Sequence, residues 1–128
     1  MIIESKIIAV DFDGTIVDNK YPKIGKAKPF AFETLKMLQA DGHRLILWTV
    51  RVGTELSEAV DFCKKHGLEF YAVNENFENE GKTRARKINA DLFVDDRNVG
   101  GFPGWGEIYE MISGTIPDRP PKKKKWLF

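Results

Sequence analysis

Ile7-Ile8-Ala9-Val10-Asp11-Phe12-Asp13-Gly14-Thr15 is the stretch on which the fold turns. Four apolar residues stop at two carboxylates flanking one aromatic residue, and a glycine turn follows. A short apolar run bounded by a turn signal reads as a buried strand. In an open α/β sheet the carboxyl ends of such strands are where ligands sit. Asp11 is therefore the residue that the rest of the chain is expected to position.

Downstream, residues 16–28 are polar, with Asp18, Asn19, Pro22, Gly25 and four lysines, and read as an exposed flap over the sheet's carboxyl edge. Pro29 marks a helix start, and Ala31, Leu35 and Leu38 recur at spacings of four and three before Gly42 stops the pattern. Residues 44–50 (RLILWTV) form a second buried strand ending in Thr49. Thr54 is placed to cap the next helix, whose Leu56, Ala59, Val60 and Cys63 share one face and which Gly67 ends. Residues 69–73 make a third strand, less apolar and so nearer an edge. An acidic loop over 74–81 and a basic stretch over 82–87 lead to the fourth strand, residues 91–96 (DLFVDD), which ends like the first in carboxylates. A glycine-rich loop then precedes a closing helix over 105–112, with Trp105 placed to line the cleft. Trp48, Phe62, Phe93 and Cys63 read as core, and His43 and His66, each beside a helix-ending glycine, as dipole partners rather than ligands.

Strands alternating with helices predict right-handed crossovers and a mainly parallel sheet covered on both sides. The fold class expected is α/β, a three-layer doubly wound, Rossmann-like sheet over residues 1–113, with a Pro/Lys-rich tail over 114–128. At 128 residues there is room for one domain and none for a cap domain. A hydrophobic content of 42% with 30% charged residues excludes disordered and fibrous classes. A single cysteine excludes an internal disulfide and a cysteine-built zinc site, and fits a reducing compartment, so the cytoplasm is the expected location. Residues 1–6 lead directly into the first strand with no signal-peptide pattern, and no window reaches the length of a membrane span. The net charge of +1 gives no support for a nucleic-acid partner, and the lysine run over 122–125 reads as a solvated tail.

Asp11, Asp13, Thr49, Asp95 and Asp96 all fall at strand ends, which in this fold face one crevice. Carboxylates brought that close cannot all stay ionised without a cation. Hard oxygen ligands with no cysteine or histidine beside them select Mg2+ over zinc. The Thr49 hydroxyl and a lysine ammonium are suited to holding phosphate oxygens, and Asp13 to moving a proton at the leaving oxygen and at water.

These residues resemble the haloacid dehalogenase superfamily of phosphohydrolases in its capless form. Its first motif stands here as Asp11-Phe12-Asp13-Gly14-Thr15. Its second, a hydrophobic strand ending in threonine or serine, matches residues 45–49, and its fourth, a strand ending in paired aspartates, matches residues 92–96. The resemblance implies that Asp11 is the nucleophile and a metal ligand, and Asp13 the general acid and base, with its carbonyl also on the metal. Asp96 is then the main acidic ligand from the last strand, Asp95 its support, and Phe12, Gly14 and Thr15 contact the phosphate. The third motif is a lysine. Lys82 and Lys87 both qualify, and the spacing Lys87-Ile88-Asn89-Ala90-Asp91 favours Lys87, with isoleucine where relatives often carry proline. Arg51, two residues beyond Thr49, is a further candidate for a phosphate or substrate contact.

Three other readings compete. A lone Asp-x-Asp-Gly-Thr forms ordinary turns, but the ordered Thr49, lysine and Asp95-Asp96 weigh against that. Receiver domains carry the same residue types in a different order. A phosphate-binding module without turnover, acting through partner contacts, is the alternative outside the enzymes. Among enzymes, an open cleft admits a polynucleotide or phosphoprotein, whereas a neighbouring subunit acting as a lid suits a small sugar or nucleotide phosphate.

Overall fold

The computed structural model describes residues 4–81 and 87–114. Strand β1 (Ile7–Val10) lies at the centre of a four-stranded, all-parallel sheet of order β3-β2-β1-β4, with β2 Arg44–Leu47, β3 Ala72–Val73 and β4 Leu92–Val94. The chain runs outward from β1 through β2 to β3, then crosses back to place β4 on the other side of β1. That reversal makes the β1/β4 boundary the switch point of a doubly wound sheet, where a crevice opens at the strands' carboxyl ends. The third strand is at an edge, as its composition predicts.

Alternation sorts the strand residues onto two faces. Ile8 and Val10, with Leu45, Leu47 and Val94 beside them, point into the main core together with helices α1 (Ala31–Ala40), α2 (Gly53–Lys65) and α3 (Trp105–Ser113). Helix α1 supplies Phe32, Leu35 and Leu38, and α3 supplies Trp105 and Ile108. Each fully buried leucine stabilises the fold by about 1.5–3 kcal/mol relative to exposure. The opposite face is smaller, with Ala9, Ile46 and Ala72 covered by Ile88 from the crossover that returns the chain to β4. Cys63 is core, as expected, and burial pushes its thiol up to about 12, which makes it unreactive.

Several local expectations change. Thr54 does not cap α2: the helix begins at Gly53 after an extended Val52 with no side-chain cap, while Lys64 and Lys65 suit its carboxyl end. His66 does sit at that end, its ring stacked on Phe32 at 4.2 Å between centroids. His43, by contrast, is buried under the amino end of the sheet and its Nδ1 accepts from the Lys6 N–H. Phe93 is not core, because β4 is an edge strand and Phe93 is exposed. The segment 16–28 is more than an exposed flap. Ile16, Val17 and Gly25 are buried, and the bonds Asp18 N to Lys26 O and Lys28 N to Ile16 O fold its stem back on itself. No described helix is long and apolar enough to cross a membrane.

Candidate active site

The ladder continues one step beyond the strands and fixes where the carboxylates emerge. Asp11 N donates to Val94 O at 3.0 Å and Trp48 N to Val10 O at 2.9 Å, so Asp11 leaves β1 held between its two neighbours. Asp11, Asp95 and Asp96 then meet at the switch point, each offering an oxygen within 4.8 Å of the others. All three are half-buried.

Turn chemistry builds the rest of this corner. Gly14 has φ +89, and a Cβ there would lie 2.2 Å from Asp96 Oδ2, so only glycine lets the first turn approach the last strand. The Phe12 carbonyl accepts from the N–H groups of Thr15, Ile16 and Val17, closing the turn. The Thr15 hydroxyl donates to Asp11 Oδ2 at 3.0 Å and lies 3.5 Å from Asp96 Oδ1, bridging the carboxylates. The Thr15 carbonyl in turn accepts from Trp105 Nε1 at 2.9 Å. Trp105 is thus buried and braces the turn from behind, whereas the sequence places it in the cleft.

Burial is the largest cause that raises Asp11 from the ordinary carboxylate range to about 7. The charge on Asp95 adds to it, and the hydrogen bond from Thr15 works the other way. This group therefore resists ionising beside its neighbours unless a cation joins them. The donor set is all carboxylate oxygen, which fits Mg2+. Asp13 is not in the trio. Its carboxylate is gripped by Arg51, Nε to Oδ2 at 2.8 Å and Nη2 to Oδ1 at 2.7 Å, in a buried pair.

Arg51 is the residue whose role the sequence misses. It is fully buried, and its other N–H groups reach the carbonyls of Pro22, Lys23 and Glu55 at 2.8–3.2 Å. All five guanidinium donors are consumed inside the protein. The substrate contact expected of Arg51 is therefore corrected to a brace that ties Asp13 to segment 16–28 and to the first turn of α2. Its bond to Asp13 raises its own proton affinity further. Adjacent loop geometry is set by Asn74, which also has no signal in the sequence: Thr49 N donates to Asn74 Oδ1 at 2.8 Å, and the Thr49 oxygen accepts from Arg51 N at 3.1 Å. That acceptance leaves the Thr49 hydroxyl proton free to donate.

A cavity of about 460 Å3 opens over the carboxylates, lined by Asp11, Asp13, Asp95 and Asp96 on one side and Asn19, Tyr21, Val50 and Arg97 on the other. The four aspartates singled out in the sequence thus come together. Thr49, expected there from the sequence, is not among the lining residues, although its neighbour Val50 is. Phe12 is core, and Thr15 spends its hydroxyl on carboxylates, so neither side chain is a phosphate contact. Lys87 is exposed and outside the lining, and Lys82 lies outside the described residues.

Fold and site together define an α/β protein with a doubly wound parallel sheet and an acidic centre at its switch point. No protein-family model and no curated protein matches the chain. Among solved structures, a conserved protein coded by a locus from Bacteroides thetaiotaomicron matches with a TM-score of 0.84 and 58% sequence identity, over 87% of this chain and 92% of that one. The chain belongs to the same family as that protein.

Proposed function

We propose that the protein is a Mg2+-dependent phosphomonoester hydrolase of the haloacid dehalogenase type, working through an aspartyl-phosphate on Asp11 in a cytoplasmic setting. The observation that carries this reading is the meeting of Asp11 with Asp95 and Asp96 at the switch point, under a glycine that leaves no room for a side chain. Three carboxylates held so close, with burial and Asp95 raising Asp11, support this reading because a shared cation would relieve their repulsion. Held by Asp11, Asp95 and Asp96, Mg2+ would neutralise repulsion between the anionic nucleophile and the phosphate and stabilise charge on the transferring group.

The chain's own residues do the rest. One Asp11 oxygen attacks phosphorus in line with the leaving oxygen, the P–O bond to the leaving group breaks, and the phosphoryl group rests on Asp11. Water then attacks that phosphorus and frees Asp11 and inorganic phosphate. The N–H groups of Phe12 and Asp13 make no hydrogen bond among the described residues, which suits them to equatorial phosphate oxygens. Asp13 is the group placed to move protons here, taking one from the attacking water only as it parts from Arg51, which forks both its oxygens. Delivering one to an alkoxide requires Asp13 to carry it away from Arg51.

Assaying a panel of phosphomonoesters for phosphate release, with Mg2+ and with a chelator, tests the proposal. Mg2+-dependent release from at least one is expected. Metal binding without turnover of any of them would instead point to a phosphate-binding module.

A further inference from the structure

The non-acidic wall of the cavity carries a structural feature that phosphoryl transfer does not use. Tyr21 is half-exposed and lines the cavity directly, although it belongs to a segment whose stem is buried. Its ring is held from one side: the Arg51 guanidinium lies 5.1 Å from the ring centroid, and 5.2 Å from the centroid of the buried Phe12. Because Arg51 is itself fixed by five hydrogen bonds, Tyr21 is an aromatic surface set in place before any ligand arrives. Asn19 Oδ1 accepts from the Tyr21 N–H and anchors its backbone. Val50 lies 86% exposed on the same rim, an apolar residue left bare beside four aspartates. The cavity, at about 460 Å3, has the size of an ordinary small-molecule pocket.

Resting on the hydrolase reading, the geometry points to Tyr21 as a specificity-determining residue that stacks a planar aromatic ring in the leaving group, making a nucleoside monophosphate the substrate class. Phosphate on the Asp11 side and a base on the Tyr21 side occupy the two walls at once. Val50 covers apolar surface of the nucleoside, and Arg97 at the rim offers charge to its polar edge. A sugar or glycerol phosphate leaves the ring of Tyr21 uncovered and gains nothing from it. Stacking on one aromatic side chain is worth enough to change affinity by about tenfold or more.

The test compares adenosine 5′-monophosphate with glycerol 3-phosphate and acetyl phosphate, in the native protein and in Tyr21→Leu and Tyr21→Phe. Tyr21→Leu is expected to raise KM for the nucleotide about tenfold with kcat little changed, to leave both small substrates unaffected, and Tyr21→Phe to restore the native KM. Equal kcat/KM for nucleotide and glycerol phosphate in the native protein, or a parallel loss on all three substrates in Tyr21→Leu, overturns the assignment. Calorimetric binding of a non-hydrolysable nucleoside phosphonate separates this from failure of the hydrolase reading. If no ester is turned over, phosphonate binding weakened by Tyr21→Leu still supports the stacking site, and binding that is absent or unchanged overturns it.

Discussion

Arg51 holds both carboxylate oxygens of Asp13, at 2.7 and 2.8 Å, from a position with no solvent exposure at all. Removing one partner of such a pair strands the other charge in a poorly hydrated setting. Arg51→Met is therefore expected to destabilise the fold by about 3–5 kcal/mol. Urea denaturation reads the loss, and the double variant with Asp13→Asn should recover part of it. Additive losses would mean that the two side chains do not depend on each other.

The Gly14 position makes a sharper prediction about metal than about stability. In Gly14→Ala the added methyl collides with Asp96 Oδ2, and φ +89 is strained for alanine. Asp96 must turn out of the trio. Mg2+ should then raise the melting temperature of the native protein while leaving that of Gly14→Ala almost unmoved.

The raised Asp11 acts on stability with a definite sign. A carboxyl that binds its proton more tightly when folded contributes stability in full below its unfolded value, and that contribution is lost as pH rises through about 7. In chelator, the melting temperature is expected to fall between about pH 4 and pH 7 from this group, and Mg2+ to stabilise more at the upper end than at the lower. Asp95→Asn removes the second cause of the shift and should flatten the chelator curve. A melting temperature that rises over that window in chelator, with no change in Asp95→Asn, would contradict the account.

Trp105→Phe keeps most of the apolar area but deletes the bond to the Thr15 carbonyl. A buried acceptor left unpaired costs about 1–3 kcal/mol. Because Thr15 also orders Asp11, turnover should fall in this variant while Trp105 remains remote from the substrate. Chemical denaturation and steady-state kinetics on the same preparation check both parts.

Much of this was legible in the chain because β1 and β4 announce themselves twice, by apolar runs and by the acidic residues that end them. The order Asp11, Thr49, Asp95-Asp96 along an alternating α/β pattern places three strand ends in one crevice with no further information. Arg51 was not legible in the same way. A lone arginine after a strand reads as a free cation, and its burial depends on carbonyls of Pro22 and Lys23, in a segment whose polar composition hides a folded stem. Asn74 and Trp105 escape for a related reason, since the bonds from Thr49 N to Asn74 Oδ1 and from Trp105 Nε1 to the Thr15 carbonyl join residues far apart in the chain and leave no periodicity. Phe93 misleads because an edge strand exposes what a central strand would bury.

Covalent capture of Asp11 tests the central claim most directly. Protein turning over a phosphomonoester with Mg2+ is quenched, reduced with borohydride and mapped by mass spectrometry. Asp11 is predicted to appear as homoserine, the product of reducing an acyl phosphate, and to remain aspartate when substrate or Mg2+ is omitted. Steady phosphate release with Asp11 unmodified, or with modification on another residue, would contradict the account.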